Sequence, residues 1–349
     1  MTRLGPLIAA VQRNCDIADA RHARDMTMCN YLLEMREFYR WDAGLELGAA
    51  PPRSEVALWL AEREARWDAI AGEEFGPLPG VGEEFAPFAS VAINRALAPQ
   101  GLVYGAGIGR FGRAHFFLGR LERRESIDGL TILVSACEYA RDLAAVPAAL
   151  QGDTVVVRRE ALRQWLWEKA EAWGIKEQPG PMRRALAAYG YFDDSAAALE
   201  RMSDAEIATL ILHERGEHAA GRVLGPDWED MLSGLGERRA EILARAVRDH
   251  WADCCVTLPA LIERQAWAAL HFWCANLEGM RREIFPAMVA AGERWAAAQD
   301  LAPLAAAVAA GAQHWPRQAQ RLLDLYRRRG VAAAAEMAAM TRDIGTIAL

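Results

Sequence analysis

A mainly α-helical protein is predicted, with an N-terminal α+β region carrying a small antiparallel sheet and a C-terminal helical bundle. Three observations lead there. Apolar residues recur at intervals of three and four over most of the chain. Runs of β-branched and aromatic residues are confined to a window of about residues 102–158. From Pro179 onward no strand-like run occurs, and Gly or Pro punctuates about seven helical segments, at Gly190, Gly225-Pro226, Gly234, Pro259, Pro286, Pro303, Pro316 and Gly330. Gly and Pro cluster between Gly174 and Pro181, after a Trp-rich helix, which sets the expected domains at 1–175 and 176–349.

Taken in order, the first helix is expected from about Asp16 to Tyr39, with Met28, Tyr31/Leu32, Met35 and Phe38 on its core face. After the breaker Pro51-Pro52, Ser54 is the expected cap of a helix through Trp59, Trp67 and Ile70, and Phe88 to Leu97 forms a shorter one. Strands are expected at Leu102–Tyr104, His115–Leu121, Leu130–Ser135 and Thr154–Val157, with Asp128-Gly129 as a hairpin turn. Arg159 to Trp173 returns to helix. In the second half the Ala-rich stretch from Ala302 to Ala339 keeps helical spacing, and Arg327-Arg328-Arg329 before Gly330 complements a helix C-terminus.

The chain has 349 residues, 52% of them hydrophobic, and a formal net charge of -7, which argues against a surface built to neutralise phosphates. No nucleic-acid partner is expected. Met1 to Ala10 is too short and too interrupted for a secretory core or membrane span, so cytoplasmic residence is the simplest expectation. Cys15, Cys29, Cys137, Cys254, Cys255 and Cys274 show no framework spacing and are expected to be reduced.

Gly107-Ile108-Gly109-Arg110-Phe111-Gly112 matches the G-x-G-x-x-G fingerprint of dinucleotide sites, with Glu138 as the ribose-binding acid. Against this, Gly119 interrupts the helix that should follow, and His115-Phe116-Phe117-Leu118 is poor helix-start chemistry. The alternative is a glycine loop feeding a hairpin.

The strongest chemical signal is His213-Glu214-Arg215-Gly216-Glu217-His218. With Asp204 as the expected cap, the apolar stripe Ile207, Leu210/Ile211 runs by helical spacing onto Glu214, Glu217/His218 and Gly221. A second helix, about Ala240 to Cys255, similarly extends its apolar stripes into Asp249, His250 and Asp253. Burying such groups is costly unless they are paired or ligated. Carboxylates and imidazoles at i, i+4 on two inward faces are the raw material of a di-iron or di-manganese carboxylate site. The expected metal ligands are Glu214, His218, Asp249 and Asp253, with Glu217 and His250 as catalytic groups and Fe or Mn as the metal. Glu34, Glu37, His271 and Glu278 are weaker candidates.

Three functions therefore stay open. One is a metal-dependent oxidoreductase acting on a small, partly apolar substrate; another is a helical adaptor or assembly factor whose polar network is structural, with a protein partner or a homo-oligomer; the third is a dinucleotide-binding oxidoreductase through Gly107–Gly112. Cys29-Asn30-Tyr31-Leu32-Leu33-Glu34-Met35-Arg36-Glu37-Phe38-Tyr39-Arg40-Trp41, His115-Phe116-Phe117-Leu118-Gly119 and Ala275-Asn276-Leu277-Glu278-Gly279-Met280-Arg281 resemble a bacterial family of similar length without an assigned function. That resemblance spans most of the chain and implies no activity.

Overall fold

The computed structural model describes residues 4–80 and 84–349. The chain divides into two units, Met1–Trp165 and Leu166–Leu349. The division falls inside helix α5 (Arg159–Gly174), earlier than the Gly/Pro cluster that was expected to mark it, because that cluster only ends a helix already crossing the boundary.

The first unit begins with α1 (Leu4–His22), α2 (Met28–Asp42) and α3 (Arg53–Ile70). The single helix expected over Asp16–Tyr39 is thus two. Met26 turns extended at ψ 153°, and the Thr27 side chain accepts the Asn30 amide at 3.4 Å, starting a new helix with a capping hydroxyl. Ile17, Met35, Phe38, Trp67 and Ile70 meet in one cluster among these helices. A two-stranded ribbon, β1 (Leu78–Pro79) with β2 (Glu84–Phe85), and helix α4 (Ser90–Leu97) lead into the main sheet.

The main sheet is built of β3 (Leu102–Ile108), β4 (Ala114–Ile127), β5 (Leu130–Arg141), β6 (Ala148–Gln151) and β7 (Thr154–Arg158), in the order β3-β4-β5-β7-β6. All pairs are antiparallel except β5 with β7. Alternation sorts its faces: Tyr104, Phe116 and Leu118 pack with Leu7, Val11 and Cys15 of α1, whereas Val103, Phe117, Leu133 and Val156 form the opposite cluster. Asp128 (φ 52°) and Gly129 (φ 85°) make the expected hairpin turn, both left-handed, which pairs Ile127 directly with Leu130. The edge strand β3 is blunted by Asn94 of α4, whose amide donates to the Tyr104 carbonyl at 2.7 Å while its oxygen accepts the Tyr104 N–H at 2.8 Å. Gly107 pairs within β3, and Gly109–Gly112 turns straight into β4. The helix that a dinucleotide fingerprint needs after its glycines is replaced by a strand.

The second unit continues with α6 (Pro181–Ala188), α7 (Ser195–Leu224), α8 (Asp227–Gly234), α9 (Arg238–Ala252), a π-helical turn (Asp253–Thr257), α10 (Leu258–Glu263), α11 (Trp267–Ala275), α12 (Gly279–Ile284), α13 (Pro286–Ala298), α14 (Ala302–Arg329) and α15 (Ala333–Met340). No strand occurs among its described residues. Helix α7 starts at Asp194, which accepts the Ala197 amide at 3.0 Å, so Asp204 lies inside the helix and does not cap it. Pro316 does not break α14 as expected. Proline cannot donate to the Ala312 carbonyl four residues back. The Cys255 thiol points at that carbonyl instead, at 4.0 Å, and the helix stays continuous for 28 residues. Its buried face, with Trp315, Leu322 and Leu323, joins Trp228, Leu243, Val247 and Phe285 in one core. No helix among the described residues is long and apolar enough to cross a membrane. The six cysteines are all free.

Candidate metal centre

Helices α7 and α9 touch at Gly216 and Ala252. A Cβ added at Gly216 would stand 2.7 Å from both Cα and O of Ala252, so only glycine permits this approach. The residues three before and one after each contact point face each other, because those offsets share a helical face. From Gly216 they are His213 and Glu217. From Ala252 they are Asp249 and Asp253. The α-helical ladder widens into the π turn at Asp253, a local irregularity that recurs at functional sites.

His213 is the hub. Its Nδ1 lies 2.8 Å from Asp253 Oδ1 and its Nε2 lies 3.5 Å from Glu217 Oε1. One ligand atom from each of His213, Glu217 and Asp249 lies within 4.8 Å of the others. Around this trio the remaining charges are held in place. Arg248 binds Glu217 Oε2 at 2.9 Å and Glu229 at 3.1 Å. Asp253 Oδ2 accepts from Arg281 and, at 3.1 Å, from the Trp273 indole N–H. Asp253 is 1% exposed, whereas the side chains of His213 and Glu217 are 21% and 11% exposed, so the trio is reachable from solvent at those two residues.

The environment sorts four carboxyls into two kinds. Burial raises Glu217, but Arg248 and His213 outweigh it and hold its carboxyl well below the ordinary range. Asp253 is likewise pushed up by burial and pulled further down by His213 and Arg281. Burial and the neighbouring Glu217 charge push Glu214 up to about 8 and raise Asp249 in the same direction. Burial disfavours a charged His213, but Asp253 and Glu217 together hold it protonated well above the usual imidazole range. At neutral pH the ionised pair Glu217 and Asp253 therefore confronts His213, Arg248 and Arg281, with Glu214 carrying a proton.

Of the six residues singled out in the sequence, Glu214, Glu217, Asp249 and Asp253 come together. Of the four expected ligands, only Asp249 belongs to the trio. His218, one step further round α7, is half-buried and outside it. His250 is fully buried, stacks on Trp315 with ring centroids 4.8 Å apart, and donates from Nε2 to the Arg281 carbonyl at 2.8 Å. Burial, then Arg281, pushes it down to about 3, leaving a neutral ring whose Nδ1 has no partner. His250 thus supports the backbone of Arg281 and does not face the trio. Glu37 pairs with Arg36 at 2.6 Å in the first unit, Glu278 with Lys169 at 3.4 Å, and His271 stacks on Trp295 at 4.2 Å. His213, Arg281 and Trp273 were not assigned from sequence. For His213 the available signal was its i, i+4 spacing to Glu217.

The donor set fits a hard divalent ion. Ligand atoms on opposite sides of such an ion stand about 4–4.4 Å apart when each bond is about 2.0–2.2 Å. A spread of 4.8 Å therefore closes with a small side-chain adjustment. No curated protein and no solved structure matches the chain. Two family models do, the N-terminal domain of a family of unknown function (DUF6866) over residues 6–158 and its C-terminal domain over residues 163–343. Covering both units between them, these matches show that the chain belongs to the DUF6866 family.

Proposed function

We propose that the second unit is a metal-dependent oxidoreductase centre that holds one iron or manganese ion on His213 Nε2, Glu217 and Asp249. The observation that carries this is the His213–Asp253 bond. A carboxylate on Nδ1 fixes the ring tautomer and leaves the Nε2 lone pair for a ligand, the arrangement that ordinarily supports metal-bound histidines. Two carboxylates with one imidazole suit iron and manganese, and three protein ligands leave coordination positions for a small molecule. In the absence of an ion, the proton on His213 Nε2 occupies its place, bridging towards Glu217.

The chain's own residues have separable tasks in this reading. Asp253 orients the imidazole, Arg248 limits the negative charge on Glu217, and Glu214 holds a proton beside the ligands at neutral pH, as a general acid must. Glu217 is thus a ligand and not the acid. A reducing cytoplasm is consistent with six unpaired thiols.

A second reading, a purely structural network in an adaptor, is favoured by one fact: Glu217 and Asp253 already have cationic partners. Metal analysis of the purified protein separates the two. About one iron or manganese per chain, lost in His213→Ala and Asp249→Asn, is the expected result. A protein that folds normally yet takes up neither metal on titration would overturn the proposal and leave the structural reading.

A further inference from the structure

A second site opens in the same unit, in a cavity of about 440 Å³ walled by α6, α11, α12 and α13. Its apolar wall includes Leu277, Met288 and Val289, and two guanidiniums, Arg184 and Arg282, also line it. Neither arginine side chain has a hydrogen-bond or ion-pair partner among the described residues, and the buried Nε of Arg184 is left without an acceptor. At the wall of a cavity, a guanidinium N–H without a protein acceptor is free to donate to a ligand. Glu293 also lines the cavity, but its side chain is exposed and makes no ion pair with either arginine. A cavity of this volume, lined by apolar and charged side chains together, suits a small molecule that has both an apolar body and a charged end.

The structure assigns to this cavity an amphipathic organic anion: a carboxylate held by Arg184 and Arg282, with an aliphatic body against Leu277, Met288 and Val289. Charge and surface each exclude the neighbouring classes. A cation would be repelled by two guanidiniums without an ion-pair partner, a neutral hydrocarbon would leave the buried Arg184 Nε unsatisfied, and a small inorganic anion would leave the apolar wall wet. Two elements link the pocket to the acidic centre. In α11, Trp273 reaches Asp253 while the next residue, Cys274, lines the cavity. In α12, Arg281 reaches Asp253 while Arg282 lines the cavity. The binding itself needs no metal, and it is tested without one so that failure of either reading leaves the other standing.

The experiment is calorimetric titration of the full chain in a chelator, with octanoate as probe and 1-octanol and octylamine as controls. Octanoate is expected to bind with a Kd in the millimolar range or tighter, octanol at least tenfold more weakly, and octylamine not at all. Arg184→Gln should weaken octanoate by about 10- to 100-fold, the ordinary cost of losing one charge-assisted pair, and Arg282→Gln, at an exposed guanidinium, by about two- to fivefold. Gly292→Leu should abolish binding by filling the cavity, since a Cβ there already stands 3.4 Å from Cys274 Sγ. If Arg184→Gln does not fold, the exposed Arg282 carries the test alone. Absence of octanoate binding at millimolar concentration, equal binding of octanol, or unchanged affinity in the folded arginine variants overturns the assignment.

Discussion

Replacing Gly216 by alanine is the sharpest perturbation of the centre, because it acts on a close backbone contact between α7 and α9. The added Cβ would meet Ala252 Cα and O at 2.7 Å and Ala252 Cβ at 2.8 Å. Carbon atoms pack at about 3.5–4.0 Å, so the two helices must part by about 1 Å. Overpacking of this kind costs about 1–3 kcal/mol. The better helix propensity of alanine offsets about 1 kcal/mol of that, for a net loss of up to about 2 kcal/mol. For a unit of this size the loss corresponds to a drop of up to about 8 °C in Tm. The same displacement lengthens the 2.8 Å His213–Asp253 bond and spreads the trio, so iron or manganese affinity should fall by at least about tenfold. Gly221→Ala, five residues on in the same helix with nothing within 4 Å of its added Cβ, is the control. It should gain about 0.5–1 kcal/mol from propensity alone and leave metal binding unchanged. Thermal unfolding of the metal-free proteins, followed by metal titration, reads both effects. A Gly216→Ala protein as stable as its parent, with undiminished affinity, would refute the claim that this contact builds the site.

Metal affinity should also depend on pH. His213 has a raised pKa and must lose its proton to become a ligand, so affinity should rise about tenfold per pH unit above 6.5 while His213 remains protonated. A flat profile over that range would remove His213 from the ligand set. Glu214 makes a prediction about stability. It ionises at about 4.5 when unfolded and about 8 when folded, so the metal-free protein loses stability as pH rises between those values. Glu214→Gln lacks that titration, and its stability relative to the parent, followed by urea unfolding, should climb from pH 4.5 to 8 and then level off; a constant difference would show that the Glu214 proton is not held by the fold. In the first unit, Glu138 and Arg158 form a buried two-pronged pair at 2.7 and 2.8 Å. Glu138→Ala leaves that guanidinium with only the longer contact to Asp142, at 3.8 Å, and should destabilise by about 3 kcal/mol in urea titrations; a loss below about 1 kcal/mol would mean that solvent reaches the pair.

What the sequence discloses, and what it withholds, follows the range of the forces involved. Asp128-Gly129 announces its hairpin because two left-handed residues in a row are a local demand. Strand β6, Ala148–Gln151, has no β-branched residue, and only pairing with Val155, Val156 and Val157 of β7 makes it a strand. The break between α1 and α2 hides inside an apolar period because its cause is one capping threonine. The candidate site divides in the same way. Helical period alone placed Glu214, Glu217, Asp249 and Asp253 on buried stripes, but period does not fix which edge of a stripe meets the partner helix. That phase comes from the Gly216–Ala252 contact, a property of two helices together. It selects His213 over His218, which lies on the far side of Glu217, and it turns His250 onto Trp315 while its neighbour Asp249 joins the trio. The pattern that marks such ligands in a sequence is therefore a glycine with ionisable residues three positions before it and one after, in a helix whose partner carries a small residue with the same flanks.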